Sequence, residues 1–186
     1  MKTTLIILIF AFLSIKATSQ ITKNNWLVGG GANFSSSKNN SDAVVNADQV
    51  LVEVSGNIGY FFIDKFVGGL KPGFESSTVK FFSGSKTSNI LEIGPFIRYY
   101  FLSTESQVNI LTEVAYQYGT RWATSNEVLH SGSISISSGL AVFLNTCVAL
   151  EFTVGYSSLK YSKSNGSNNS VIAGIGFQLH LEKDKY

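Results

Sequence analysis

Cysteine is nearly absent from this chain of 186 residues, which holds one, Cys147. No disulfide framework can form within it, so the fold rests on packing and hydrogen bonds, and Cys147 reads as a small apolar filler. Two histidines and that one thiol cannot make a zinc site of ordinary spacing. Charge is sparse as well: 14% of residues are charged and the formal net charge is +2, too weak to imply a nucleic-acid partner. After residue 20 no stretch of 18 consecutive apolar residues occurs, which excludes a spanning helix. No segment repeats its apolar residues at the 3.6 period of an amphipathic helix. Yet 44% of the residues are hydrophobic. Apolar content with no helix to carry it is the first pointer to strands.

The N-terminus predicts export. Lys2 supplies a positive start, Leu5 to Ile15 an apolar run, and Ala17-Thr18-Ser19 the small–x–small pattern that signal peptidase reads. Residues 1–19 are therefore expected to be a signal peptide. The apolar run is about eleven residues, well short of the roughly 20 that a spanning anchor needs. Residues 20–186 then form a single domain with a short polar C-terminal tail, and because Gln20 rather than cysteine directly follows the cleavage site a lipid anchor is not expected.

What is abundant is alternation with a period of two. One face of successive segments reads Val50, Val52, Val54, Ile58, Tyr60, Phe62; then Leu91, Ile93, Pro95, Ile97, Tyr99, Phe101; then Val108, Ile110, Val114, Tyr116, Tyr118. Ile134 to Leu144, Val148 to Tyr156 and Val171 to Leu181 repeat the pattern, and two noisier segments begin at Trp26 and Phe66. That makes eight strands. Asn- and Ser-rich connections near 36–48, 82–88, 120–131 and 160–169 alternate with short turns at Asp64-Lys65, Ser103 to Ser106 and Asn145-Thr146. Long external loops and short periplasmic turns follow that order in an outer-membrane barrel. Pro72 and Pro95 each remove a ladder donor, so bulges or edge-like irregularity are expected there.

The opposite face decides which side looks outward. It is small and thinly charged: Glu53, Ser55, Asn57; Lys71, Gly73, Glu75; Glu92, Gly94, Arg98; Asn109, Glu113, Gln117; Glu151, Thr153; Gln178, His180. A water-facing sheet carries denser Lys, Glu and Thr. An eight-stranded interior leaves room for little beyond side chains, and ions buried there need partners. The expectation is an interior network of Glu53, Glu92, Glu113 and Glu151 around Lys71 and Arg98. Aromatic residues gather at strand ends, Tyr60, Phe61, Phe62 and Phe66 at one turn and Tyr99, Tyr100 and Phe101 at the next, where rings suit a lipid–water boundary. In lipid every backbone polar group must be paired, so strands without a helix must close on themselves.

The segment Gly94-Pro95-Phe96-Ile97-Arg98-Tyr99-Tyr100-Phe101 resembles the fourth-strand signature of the small outer-membrane β-barrel domain family of Bacteroidetes-type bacteria, akin to the OmpA and OmpX barrels. Leu140 to Asn145 with Val148 to Tyr156, and Ile175 to Leu179, are similar to its later strands. The chain departs from the pattern at Glu182 to Tyr186, which follow the last apolar residue. The resemblance implies a fold and a location but no reaction.

Little else suggests chemistry. His130-Ser131 is the one cluster comparable to the His–Ser pair of barrels resembling lipid A deacylases, but neighbouring strand residues point to opposite faces. Glu113 and Glu151 as an acid–base couple compete with an interior structural role. His180 reads as an interior hydrogen-bonder. Gly29-Gly30-Gly31 lacks the helix and Lys-Ser/Thr of a phosphate loop. The expectation is thus an all-β protein, an eight-stranded antiparallel up-and-down transmembrane β-barrel. It is a monomer in outer-membrane lipid with both termini periplasmic, and it has no catalytic residue, metal or cofactor. Its role is structural or surface-interacting, with any extracellular partner meeting loops 36–48, 120–131 and 160–169. A narrow pore, a soluble periplasmic ligand-binding barrel and an embedded enzyme are the rivals.

Overall fold

The computed structural model describes residues 21–39, 47–81, 84–123, 128–162 and 167–182; the expected signal peptide and the last four residues lie outside them. Eight strands form among the described residues: β1 Trp26–Asn39, β2 Ala47–Ile63, β3 Phe66–Phe81, β4 Gly84–Tyr100, β5 Val108–Ala123, β6 Val128–Phe143, β7 Val148–Tyr161 and β8 Ser167–Leu181. Each pairs antiparallel with the next, and β8 returns to β1 to close the barrel. We call the end holding residues 21–25 and the connections 64–65, 101–107 and 144–147 the near end, and the other the far end.

The period of two sorts the side chains as expected. Val52, Val54, Ile58, Ile97, Val114, Tyr116, Phe152, Val154 and Ile175 are exposed on the outside. Glu113, Arg98, Gln117, Glu151 and Gln178, each one residue out of phase with such neighbours, are buried inside. Polarity is therefore inverted relative to a water-soluble barrel. Two polar residues that break the apolar outer face satisfy each other: Thr112 and Ser138 are register partners, and their hydroxyls lie 2.8 Å apart.

The strand ends differ from expectation. Parts of the ranges 36–48, 120–131 and 160–169 are strand, since Asn39 pairs with Ala47, Trp122 with Val128 and Lys160 with Ser167. Residues 40–46, 124–127 and 163–166 of those ranges lie outside the described residues. The physical reason is that ladder hydrogen bonds are made by backbone, which Asn and Ser supply as well as valine does. Beyond the apolar belt the outward residues turn polar (Asn89 and Thr87 on β4, Ser158 and Lys160 on β7), and the hydrophobic signal stops before the strand does.

Neither proline produces a register shift. Pairing of β2 with β3 lapses between Ser55↔Gly73 and Ile58↔Leu70, beside Pro72, and resumes in the same register. Pairing of β4 with β5 lapses likewise between Ile93↔Tyr118 and Phe96↔Ala115, around Pro95. A missing donor interrupts the ladder there without inserting a residue. The β2–β3 register shifts instead between Phe61 and Ile63, at the near end.

The β1–β8 seam is short, pairing from Trp26↔Leu181 only to Gly30↔Phe177, whereas β1 stays paired to β2 as far as Asn39. Amides of β1 beyond Gly30 and of β8 before Phe177 that face this seam are expected to exchange with deuterium at least about tenfold faster than those of the fully paired β5–β6 hairpin, because local opening there breaks fewer bonds. Residue-resolved exchange by NMR checks this; equal protection would show a seam zipped along its whole length.

Candidate functional site

The lumen is layered. At the near end Leu27, Phe61, Val67, Tyr100, Leu111 and Phe143 are buried together, with Ile21 from the N-terminal segment. That segment is tied beneath the barrel by backbone bonds, Asn24 N to Phe61 O at 2.9 Å and Lys65 N to Ile21 O at 2.8 Å. His180 lies fully buried in this layer, 5.1 Å from the Phe143 ring and 5.8 Å from Phe61 between centroids. Phe61 and Tyr100, read from the sequence as part of boundary girdles, point inward instead. Their neighbours Tyr60, Phe62, Tyr99 and Phe101 stay on the outer face, where Tyr60 packs edge-on to Phe62 and Tyr99 to Phe101. The correction follows from strand geometry, since three consecutive aromatics cannot share one face.

Above the aromatic layer lies the ion cluster. Arg98 and Glu113 are register partners on β4 and β5. The guanidinium donates to Glu113 Oε2 from Nε at 2.9 Å and from Nη2 at 2.6 Å, and from Nη1 to Glu151 Oε1 at 2.8 Å. Charge-assisted bonds from one planar fork to two carboxylates are the strong, directional kind. Lys71 pairs with the other oxygen of Glu113. It reaches across β4 because its register partner there is Gly94, which has no side chain. A Cβ at Gly94 would fall 1.8 Å from the Tyr116 carbonyl oxygen, so the wall is closed tightly at this point. Arg98 also lies 5.8 Å from the Phe96 ring centroid, an added cation–π contact.

Lys71, Arg98, Glu113 and Glu151 are thus in direct contact. Glu92 joins through Gln117, whose amide donates to Glu92 Oε1 at 3.1 Å and to the Lys71 carbonyl at 3.2 Å. Glu53 is the register partner of Glu75 on the neighbouring strand. Sequence reasoning placed Gln117 and Gln178 on the inner face but missed their bonds. Gln178 donates to Glu151 Oε2 at 3.1 Å, and Tyr100 Oη lies 3.2 Å from Arg98 Nη1 and 3.3 Å from Glu151 Oε1. Tyr100 sharing the inward parity of Arg98 was the available signal.

The far half of the lumen holds a cavity of about 510 Å³. Its charged lining comprises Glu53, Glu75, Glu92, Glu113, Glu151, Lys71 and Arg98.

No catalytic constellation is assembled from the residues considered. His130 is exposed on the outside, stacked on Tyr118 with its Nδ1 3.3 Å from Thr120 Oγ1, while Ser131 is buried inside. Opposite faces of one strand separate them. Glu113 and Glu151 are both committed to Arg98. Gly29 to Gly31 lie within β1, with no helix following. Cys147 sits half-buried in the β6–β7 turn, which Asn145 Oδ1 closes by accepting from the amides of Cys147 at 2.8 Å and Val148 at 2.7 Å. No three carboxylate, imidazole or thiol groups among the described residues are placed to hold one metal ion.

The same architecture recurs in solved structures. The crystal structure of the outer membrane protein OprG from Pseudomonas aeruginosa superposes with a TM-score of 0.55 at 17% identity, over 89% of this chain and 100% of that one. Neisserial surface protein A (NspA) superposes with a TM-score of 0.54 at 14% identity, over 83% of this chain and 96% of that one. What is shared is the fold. No family model and no curated protein matches the chain in sequence, so the resemblance of residues 94–101 to the Bacteroidetes-type family stays an expectation.

Proposed function

We propose that this protein is an integral outer-membrane β-barrel with a structural or surface-interaction role, whose lumen is closed to ions at the near end. The observation that carries the reading is the inverted polarity. An apolar belt surrounds the wall while Arg98, Glu113 and Glu151 are sealed within it. Hydrocarbon is the solvent in which that arrangement is favourable, since a closed barrel pairs its backbone internally and presents only side chains to lipid. The solved barrels that share the fold are described as outer-membrane or surface proteins, which supports the same location.

The strands run 14 to 17 residues, beyond the roughly 9–11 that a tilted strand needs to cross. The excess is polar and sits at the far end, so in this reading the far end projects outward and the termini face the periplasm. A partner would meet the paired extensions near Lys160 and Trp122 together with residues 40–46, 124–127 and 163–166. The barrel acts as a monomer and catalyses no reaction in this proposal.

The soluble-barrel rival is tested by fractionation: the protein should resist carbonate and need detergent for release. The pore rival has one feature in its favour, the far-half cavity. In planar bilayers the wild type is expected to show no steady single-channel current. The triple variant Phe61→Ala, Tyr100→Ala, Phe143→Ala should conduct, because it removes three of the largest buried side chains of that layer. Steady current from the wild type would overturn the closed-lumen proposal and favour the pore.

A further inference from the structure

Pairing between β1 and β8 stops at Gly30↔Phe177, although β1 runs on to Asn39 and β8 begins at Ser167. The strands still touch at Gly31, where a Cβ would fall 3.0 Å from the Ile175 carbonyl oxygen, and no pair follows. The apolar belt does not stop there. On β8 it continues through Ile175 to Val171, which is 77% exposed. Part of this seam is therefore unzipped at the depth of the belt. Unpaired backbone at that depth is tolerated where protein covers it or where it lines a cavity. The lumen cavity does reach it, since Gly30 and Gly31 on one lip and Gly174, Ile175 and Gly176 on the other all line it.

The inner wall beside the seam is small and apolar. Gly174 and Gly176 leave it bare, and Ile172 shares their inward phase yet is 45% exposed. Leu159 on β7 lines the same space. An alkyl chain lying there would meet no charge on β8.

A second observation lies at the root of the seam. Asn57 Oδ1 and Gln178 Oε1 are buried and accept no hydrogen bond from the protein, in residues 4% and 3% exposed that line the cavity. Gln178 is held in this orientation because its Nε2 donates to Glu151. Both flank Gly29, the register partner of each, one residue below the last rung of the β1–β8 ladder. A buried acceptor without a donor costs stability, so this pair marks a place that takes donors. The site calls for no charge, because the Glu151 carboxylate beyond Gln178 is already paired with Arg98.

The two halves define an occupant. Its head must donate two hydrogen bonds while neutral, as a vicinal diol does; an ionised carboxylate offers acceptors only. Its tail is one slender alkyl chain, able to pass glycine-lined lips. Gly29 and Gly31 are about 7 Å apart along the strand, a span that the first few carbons cover.

We infer that the lumen takes a neutral single-chain glycerolipid from the membrane, its diol head donating to Asn57 and Gln178 and its alkyl chain passing Ile172 and leaving between β1 and β8 into hydrocarbon. The inference goes beyond the proposed envelope role and rests on its membrane location.

The test is photolabelling of the full chain, reconstituted in phosphatidylcholine vesicles, by a monoacylglycerol carrying a diazirine in its chain. Two variants accompany the wild type. Asn57→Leu keeps the size of the side chain and loses the acceptor. Gly174→Leu fills the passage, and among the described residues a Cβ there meets just Thr153 Oγ1, at 3.3 Å. Heat-modifiable mobility checks that each folds. Adducts are expected to concentrate on β1 and β8 and to fall at least fivefold in both variants. Monolauroylglycerol should compete, with methyl laurate, which has no donor, needing at least tenfold more. Inserted protein labelled evenly around the belt, equal competition by methyl laurate, or undiminished labelling of either variant would overturn this inference alone. Protein that carbonate strips from the vesicles would overturn the location and the inference together.

Discussion

Replacing Arg98 with methionine is expected to destabilise the barrel by about 3–5 kcal/mol, the usual cost of removing one partner from a buried ion pair. The guanidinium is the only group that touches both Glu113 and Glu151 through ion pairs among the described residues. Without it, Glu151 keeps just Gln178 and Tyr100 as near polar contacts, and Glu113 keeps Lys71. A carboxylate held away from water must then ionise at a penalty or take up a proton. Arg98→Lys should recover only part of the loss, because an ammonium cannot make the forked contact to Glu113 while still reaching Glu151. The double variant Arg98→Met, Glu151→Gln should be markedly more stable than Arg98→Met alone, since it removes the stranded charge together with its partner. Urea unfolding in lipid vesicles, followed by tryptophan fluorescence from Trp26 and Trp122, reads all of these. An Arg98→Met midpoint equal to the wild type would show that the cluster carries no net stabilisation.

The inner cluster was partly legible because a strand assigns faces by parity. Once Ile97 and Val114 are read as outward, Arg98 and Glu113 must be inward, and no further information is needed to place them inside the tube. Which inward residues touch is a different matter. It depends on the stagger between strands, which places Lys71 beside Gly94 and lets it reach Glu113 two strands away. Parity cannot supply stagger, so it does not reveal that Glu53 and Glu75 are register partners. Parity did contain the aromatic layer: Phe61 shares the phase of Glu53 and Asn57, and Tyr100 that of Arg98. The clustering of aromatics at strand ends drew attention to composition, where the phase of each residue was the better guide. The polar strand extensions were illegible for a physical reason, since alternation requires two unlike surroundings. Where both faces of a strand meet polar surroundings, the sequence has nothing to alternate between.

Placing arginine at Ile97 is expected to cost about 2–4 kcal/mol, against roughly 0–1 for the same change at Asn89 on the same face of the same strand. Ile97 is 51% exposed, in the middle of the outer belt, so the substitution breaks no packed core and meets no steric obstacle. In water such a change at an exposed strand position is close to neutral, and it would improve the solubility of an apolar surface. In hydrocarbon the guanidinium must be desolvated or must draw water and headgroups toward it, and the penalty falls with distance from the midplane. The pair of variants therefore reports the solvent rather than the fold. Refolding yields into vesicles and urea midpoints measure it, with Asn89→Arg as the internal control for strand propensity. If both variants matched the wild type, the outer face would have to lie against something other than lipid, and the proposed location would fail while the barrel and its ion cluster stood unchanged.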